Sequence, residues 1–241
     1  MDNHKEEKEE ETKKQRNKSL FREYFELITE TALFVFFVMT FVVQAFQIPT
    51  GSMEPTLLVG DFLLVNKMAY ATPAFNWEKI ILPRKKIDRG DIVVFKYPKE
   101  LNKDFVKRVI ALEGQKIEIK DKQVFVDDVS IVEKYKVHND SRIFSNNQYY
   151  YYDDSIRDNL RPQIVPPGHC FVMGDNRDNS MDSRYWGFLS MDLIKGRPWV
   201  IYFSYKAERD AYLKSSLRDR LKKIINFFPK ARWHRILQII N

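Results

Sequence analysis

One cysteine, Cys170, and four histidines are all that a chain of 241 residues offers in the usual metal-ligand and disulfide chemistry. A single thiol excludes an internal disulfide framework and any zinc site built on cysteine pairs. His4, His138, His169 and His234 are scattered and have no metal-ligand spacing. Only 8 glycines exclude a collagen-like or glycine-linker protein. The middle of the chain also lacks excess charge of either sign, because residues 31–205 hold 23 Lys/Arg against 21 Asp/Glu. The net charge of +7 therefore belongs to the segment 206–241, with 10 basic residues against 3 acidic, and not to a basic globular surface. The longest absence is local: from Thr31 to Met53 no residue is charged.

Within that stretch, Ala32 to Ile48 has only Thr40, Gln44 and Gln47 as non-apolar members. A helix over Ala32 to Ile48 would be about 26 Å long, of borderline membrane-spanning length. A buried soluble helix would show a polar face, and Leu33 to Val38 offers none. Arg16, Lys18 and Arg22 precede the run and the next basic residue is Lys67, so the positive-inside rule places the N-terminus in the cytoplasm and everything after residue 50 outside. A cleavable signal peptide is the rival, since Val43-Gln44-Ala45 has small residues at a possible cleavage site. Residues 1–30, with nine acidic side chains, are too long and too acidic for an ordinary n-region. Self-cleavage after Ala45 stands as a further hypothesis.

The sequence beyond the span reads as mainly β. Runs rich in Val, Ile and aromatics recur at Asp61 to Asn66, Asp91 to Tyr97, Phe105 to Leu112, Lys116 to Ile119, Gln123 to Val126, His169 to Met173 and Trp199 to Tyr205. Turn residues separate them, as at Arg89-Gly90-Asp91 and Pro166-Pro167-Gly168. The expected organisation is a charged cytoplasmic segment 1–30, a single transmembrane helix 31–48, and an antiparallel sheet or barrel-like domain over 49–119 and 166–205. A polar, tyrosine-bearing lobe is inserted at 120–165, and a basic amphipathic helical tail follows at 206–241. Basic and apolar residues alternate in that tail, which fits an interfacial helix on anionic phospholipid better than a nucleic-acid arm, so a membrane and no nucleic acid are the expected partners.

Gln47 to Leu57 packs Pro49, Gly51, Pro55 and the hydroxyls of Thr50, Ser52 and Thr56 directly after the apolar run. Gly51 permits close backbone approach to a ligand, which suits a nucleophile beside a backbone oxyanion donor. By composition alone, a plain helix-exit turn is the simpler account. Ser52 would need a base, and of the histidines only His169 falls in the β domain. A lysine held neutral by burial serves equally, because its free amine accepts the serine proton. Lys107 lies within Phe105-Val106-Lys107-Arg108-Val109-Ile110, where period-two alternation puts Lys107 and Arg108 on opposite faces. The alternation leaves open which cation is buried, and a surface lysine snorkelling to water fits too.

Four blocks in order, Thr50 to Leu57, Arg89 to Phe95, Phe105 to Ile110 and Gly174 to Arg184, following one apolar span, resemble the bacterial type I signal peptidases. The resemblance covers roughly residues 30–205. It implies a membrane-bound serine endopeptidase that removes signal peptides from exported preproteins with a Ser/Lys dyad and no cofactor. Carried over by position, Ser52 is the nucleophile, Lys107 the general base and Ser180 the serine that orients the lysine. The Ser52 N–H and Thr50 hydroxyl would form the oxyanion hole. Asp175 with Arg108 and Asp182 with Arg184 would be bracing ion pairs. Ile48, Met53, Leu57, Phe105 and Val106 would line pockets for small substrate residues at −1 and −3. The resemblance also implies the cytoplasmic (inner) membrane of a bacterium, with the catalytic domain on its outer face and the protein-export machinery as a possible partner. Thr50 stands where the family more often has serine, and Ala111-Leu112-Glu113-Gly114-Gln115 replaces Gly-Leu-Pro-Gly-Asp. A membrane-tethered binding protein with an idle dyad is the non-enzymatic alternative. The self-cleaving SOS repressors share the chemistry but are soluble and begin with a DNA-binding domain.

Overall fold

A computed structural model describes residues 20–70, 86–144, 154–206 and 229–240. Residues 1–19, the Tyr149 to Tyr152 cluster and tail residues 207–228 lie outside the described residues. The chain divides into two units, 1–42 and 43–241.

The first unit contains helix α1, Leu20–Phe37, continued by a wider π-helical turn, Val38–Val42. Arg22 to Val42 is long and apolar enough to cross a membrane, and its large side chains are exposed, Phe34 and Phe36 at 68% each. The helix therefore begins and ends earlier than the 31–48 expected. Charge alone put its start too late, since Arg22 and Glu26 form an i,i+4 pair at 2.9 Å on the helix surface. At the other end, Val43–Gln47 leaves the helix as strand β1 and pairs with β2, Asp61–Asn66, over all five residues. Ala45, the site of hypothetical self-cleavage, is opposite Leu64 in that ladder.

In the second unit β1 and β2 begin a sheet continued by β3 (Ile92–Tyr97), β4 (Glu100–Leu112), β9 (His169–Met173), β10 (Leu189–Ser190), β11 (Ile194–Ser204) and β12 (Gln238–Ile239). Its order is β1-β2-β11-β3-β4-β9-β10, with β12 added to β11, and its pairs are antiparallel. A second sheet, β7-β6-β5-β8, joins β5 (Lys116–Lys120), β6 (Gln123–Val126), β7 (Val129–Ser130) and β8 (Leu160–Ile164). It takes in β5, which sequence assigned to the main domain, because β5 finds its partners in β6 and β8.

Alternation builds the cores. On β3, Ile92 and Val94 point into one cluster with Met53, Leu57, Leu63, Val65 and Ile201, while Val93 and Phe95 point into another with Val109, Cys170, Val172 and Leu189. A strand buried on both faces shows a continuous apolar run, as Ile92-Val93-Val94-Phe95 does. Ile110, Ala111, Phe171 and Met173 share a third cluster with Ile117, Ile119, Val124 and Val126, so the lobe is packed onto β4 and β9. Burying each such side chain contributes roughly 1.5–3 kcal/mol.

The described end of the tail, 229–240, is not a helix. It makes a turn, a short 3-10 segment at Trp233–Arg235, and strand β12 opposite Val200 and Ile201. Ile240 completes the cluster around Met53 and Leu57, and Arg235 binds the buried Asp61 at 2.7 Å. These two long-range partners favour an extended segment, a demand that local amphipathicity does not reveal.

Candidate active site

Ser52 sits in a one-turn 3-10 segment, Gly51–Met53, entered from the extended backbone of Thr50. Buried Met53 and Leu57 anchor the turn from below. Asn176, in the loop after β9, holds it from the side: its N–H donates to the Ser52 carbonyl and its Nδ2 to the Gly51 carbonyl, each at 3.1 Å. Gly174 lies against the same turn, where a Cβ would collide with Ser180 Oγ and the Ser52 carbonyl oxygen. Only a residue without a side chain allows strand and turn to approach this closely.

Strand β4 brings Lys107 to the turn. Lys107 Nζ is 2.7 Å from Ser52 Oγ and donates to the Val106 carbonyl at 3.0 Å. Arg108 points to the opposite face, where Nε and Nη2 make a bidentate pair with Asp175 at 2.9 and 2.8 Å and Nη1 reaches the Gly90 carbonyl. Lys107 is 4% exposed, and its pKa falls from 10.5 to about 8. Desolvation is the main cause, opposed by the charges of Asp182 and Asp175 and assisted by that of Arg184. Asp182 is buried too; burial alone would raise its pKa, but the Arg184 charge and hydrogen bonds at 2.8 Å, with the Gly174 N–H and Ser180, hold it below the ordinary carboxylate value. Both carboxylates near Lys107 are thus already committed to arginines, and this lets desolvation dominate at the amine.

Ser52, Lys107, Ser180 and Thr50 line one cleft of roughly 670 Å³. Ile48, Met53, Phe105 and Val106 form apolar parts of its wall. Leu57 does not reach the cleft; it is fully buried in the core beneath the turn. The Ser180 hydroxyl is buried beside Gly174 without a hydrogen bond of full geometry. Lys107 is instead oriented by Ser52 and Val106 in this state. Among the described residues, no group of three or more His, Cys, Asp or Glu is placed to hold a metal ion.

A serine hydroxyl against a desolvated lysine, in a cleft with apolar walls, has the parts needed for acyl transfer. Residues 21–203 match the family model described as "Signal peptidase, peptidase S26". The chain belongs to that family. Curated members similar to it include the signal peptidases I of Buchnera aphidicola subsp. Acyrthosiphon pisum, 32% identical over 82% of this chain and 80% of that protein, and of Pseudomonas fluorescens, 34% identical over 79% and 76%. The signal peptidase I of Aquifex aeolicus is 34% identical over 72% and 81%. A solved signal peptidase I from Enterococcus faecalis V583 is 35% identical, covers 47% of this chain and 97% of that one, and superposes with a TM-score of 0.37. The chain is thus a peptidase of the S26 family, and α1 gives it a helix long and apolar enough for membrane anchoring.

Several functional neighbours escaped sequence reasoning. Phe46, Gln47 and Tyr185 line the cleft, and β1 was hidden inside an apolar run. Asn176 was visible only as a member of the Gly174 to Arg184 block, with no role of its own. Glu133 and Arg177, buried as a pair, and Tyr135, with its ring centroid 3.9 Å from the Arg108 guanidinium, join the lobe to the site loop. The residues alone held no signal for those contacts.

Proposed function

We propose that Ser52 and Lys107 are the dyad through which this S26 peptidase removes N-terminal signal peptides from exported preproteins. The 2.7 Å contact between Lys107 Nζ and Ser52 Oγ in a desolvated setting carries the reading. The neutral amine accepts the Ser52 proton as Oγ attacks the scissile carbonyl, and the Ser52 N–H with the Thr50 hydroxyl receives the developing oxyanion. Lys107 then gives its proton to the leaving amine. Water, deprotonated by the same lysine, splits the acyl ester and frees Ser52.

Ile48, Met53, Phe105 and Val106 make a shallow apolar wall, which favours small side chains at −1 and −3. The asymmetry of basic residues around α1 supports a cytoplasmic N-terminus, with the catalytic domain on the outer face of the bacterial inner membrane and the export machinery supplying substrate. Asp175–Arg108 and Asp182–Arg184 act as braces, and Ser180 as a second hydroxyl beside the dyad.

The test is cleavage of a preprotein with an Ala-x-Ala site by the detergent-solubilised chain. Ser52→Ala and Lys107→Arg should each lose about 10³-fold or more in kcat, the second because a guanidinium stays protonated. Wild-type activity should rise with pH through about 8, as Lys107 loses its proton. Cleavage surviving in either variant removes that residue from the mechanism.

A further inference from the structure

The lobe reaches the nucleophile through a short chain of hydrogen bonds. Its segment 133–140 runs beside the site loop: the Val137 N–H donates to the Asp175 carbonyl at 2.9 Å and the Val137 carbonyl accepts from the Arg177 N–H at 3.0 Å, a parallel bridge. Glu133 pairs with the buried Arg177 on one side of this bridge. On the other, the Asp140 N–H donates to Asp178 Oδ2 at 2.8 Å and His138 Nδ1 lies 3.2 Å from Asp178 Oδ1. Between them, Asn139 Nδ2 donates to Asn176 Oδ1 at 2.9 Å.

That last contact decides which way the Asn176 amide faces. With its oxygen occupied by Asn139, its NH2 group points at the Gly51 carbonyl. The Gly51 carbonyl and the Ser52 N–H belong to one planar trans peptide unit and point in opposite directions. Holding the oxygen therefore aims the hydrogen. Donation to the carbonyl also polarises the unit and makes its N–H a stronger donor.

We propose that Asn139 and Asn176 are positioning residues for the reaction, the lobe acting through Asn139 and then Asn176 to aim and polarise the Ser52 N–H toward the substrate oxyanion. The inference rests on Ser52 being the nucleophile and its N–H an oxyanion donor. It gives the lobe a catalytic consequence, although no residue of 133–140 lines the cleft.

The consequence is a specific order of effects. Asn139→Ala removes the donor to Asn176 Oδ1 and leaves that amide free to turn. Asn139→Asp is nearly isosteric but sets an acceptor against Asn176 Oδ1, so the amide turns over and its oxygen faces the Gly51 carbonyl. Asn176→Ala removes the side-chain clamp. Losing one oxyanion donor outright costs about 10²–10³-fold in kcat, and misaiming one costs less. We expect kcat to fall about 3- to 10-fold in Asn139→Ala, about 30-fold in Asn139→Asp and about 100-fold in Asn176→Ala, with KM within about two-fold of wild type.

The experiment measures kcat and KM for an Ala-x-Ala preprotein with the full-length chain in detergent, together with inhibition by a peptide aldehyde of the same −3 to −1 sequence. Asn139 is exposed, so its two variants should fold as wild type does, which thermal melting checks. Aldehyde affinity should fall in step with kcat, because the tetrahedral adduct uses the same donor, and the pH midpoint of kcat should stay in place in Asn139→Ala, which changes no charge. A purely structural role would not preserve that midpoint and KM while weakening the aldehyde. The inference is overturned if Asn139→Asp is no slower than Asn139→Ala, if the loss lies in KM, or if the midpoint moves in Asn139→Ala. Ser52→Ala runs in parallel. Activity in that variant sinks the dyad and this inference with it; an inactive Ser52→Ala beside Asn variants that cleave like wild type sinks this inference alone.

Discussion

Lys107 and Arg108 are neighbours on β4, each 4% exposed, and the two faces of the strand treat them in opposite ways. Behind the strand, Arg108 meets a carboxylate, a carbonyl and an aromatic ring, and its charge is fully compensated. In front, Lys107 meets a hydroxyl and a carbonyl. A buried cation becomes a base only where no carboxylate is available to hold its proton. Asp175 and Asp182 are both close enough to raise the Lys107 pKa, and each is already paired with an arginine. Each carboxylate still raises the Lys107 pKa, and with an arginine beside each, desolvation remains the larger influence on the amine.

Breaking the rear face should have the largest effect. Asp175→Asn leaves Arg108 buried without its counter-ion, which should cost about 3–5 kcal/mol, read as a fall in melting midpoint. Removing the front cation should do the reverse. The folded pKa of Lys107, near 8, lies below its unfolded value of 10.5, so at neutral pH folding must discard or desolvate a proton-bearing amine. Lys107→Met should be more stable than wild type by up to about 3 kcal/mol below pH 8. That gap should close between pH 8 and 10.5, and a gap independent of pH would show that the lysine is not desolvated. The smallest expected effect sharpens the link between the faces. Arg184→Lys keeps a positive charge beside Asp182 but loses the bidentate fork, and the pH midpoint of cleavage should climb by about half a unit. An unmoved midpoint would mean that the pairing does not govern the amine.

Much of the β architecture was legible because β2, β3, β5, β6 and β9 each satisfy a short-range rule: apolar, branched, and bounded by turn residues. Strand β1 was not, since its apolar side chains continued a run already read as helix, and Gln44 and Gln47 are too sparse to mark a change of period. The tail misled for another reason. Ile236, Leu237, Ile239 and Ile240 look amphipathic in isolation, and what makes the segment extended is an acid at position 61 and an open ladder on β11, neither of them local. At the site, alternation separated Lys107 from Arg108 without saying which faced Ser52, and the motif resemblance supplied that choice. The contact between Asn139 and Asn176 could not be read at all, because a hydrogen bond between two asparagines 37 positions apart leaves no periodicity behind.

Arg235 and Ile240 reach back to the floor of the Ser52 turn: Arg235 donates to the Thr56 carbonyl and to Asp61, 174 positions earlier, and Ile240 packs with Met53 and Leu57. The packing beneath Ser52 is therefore completed by the last described residues of the chain. A nascent chain that has not yet presented that stretch lacks both arginines that pair with Asp61 and the side chain that fills the space under the Ser52 turn, so the centre gains its full packing late in synthesis.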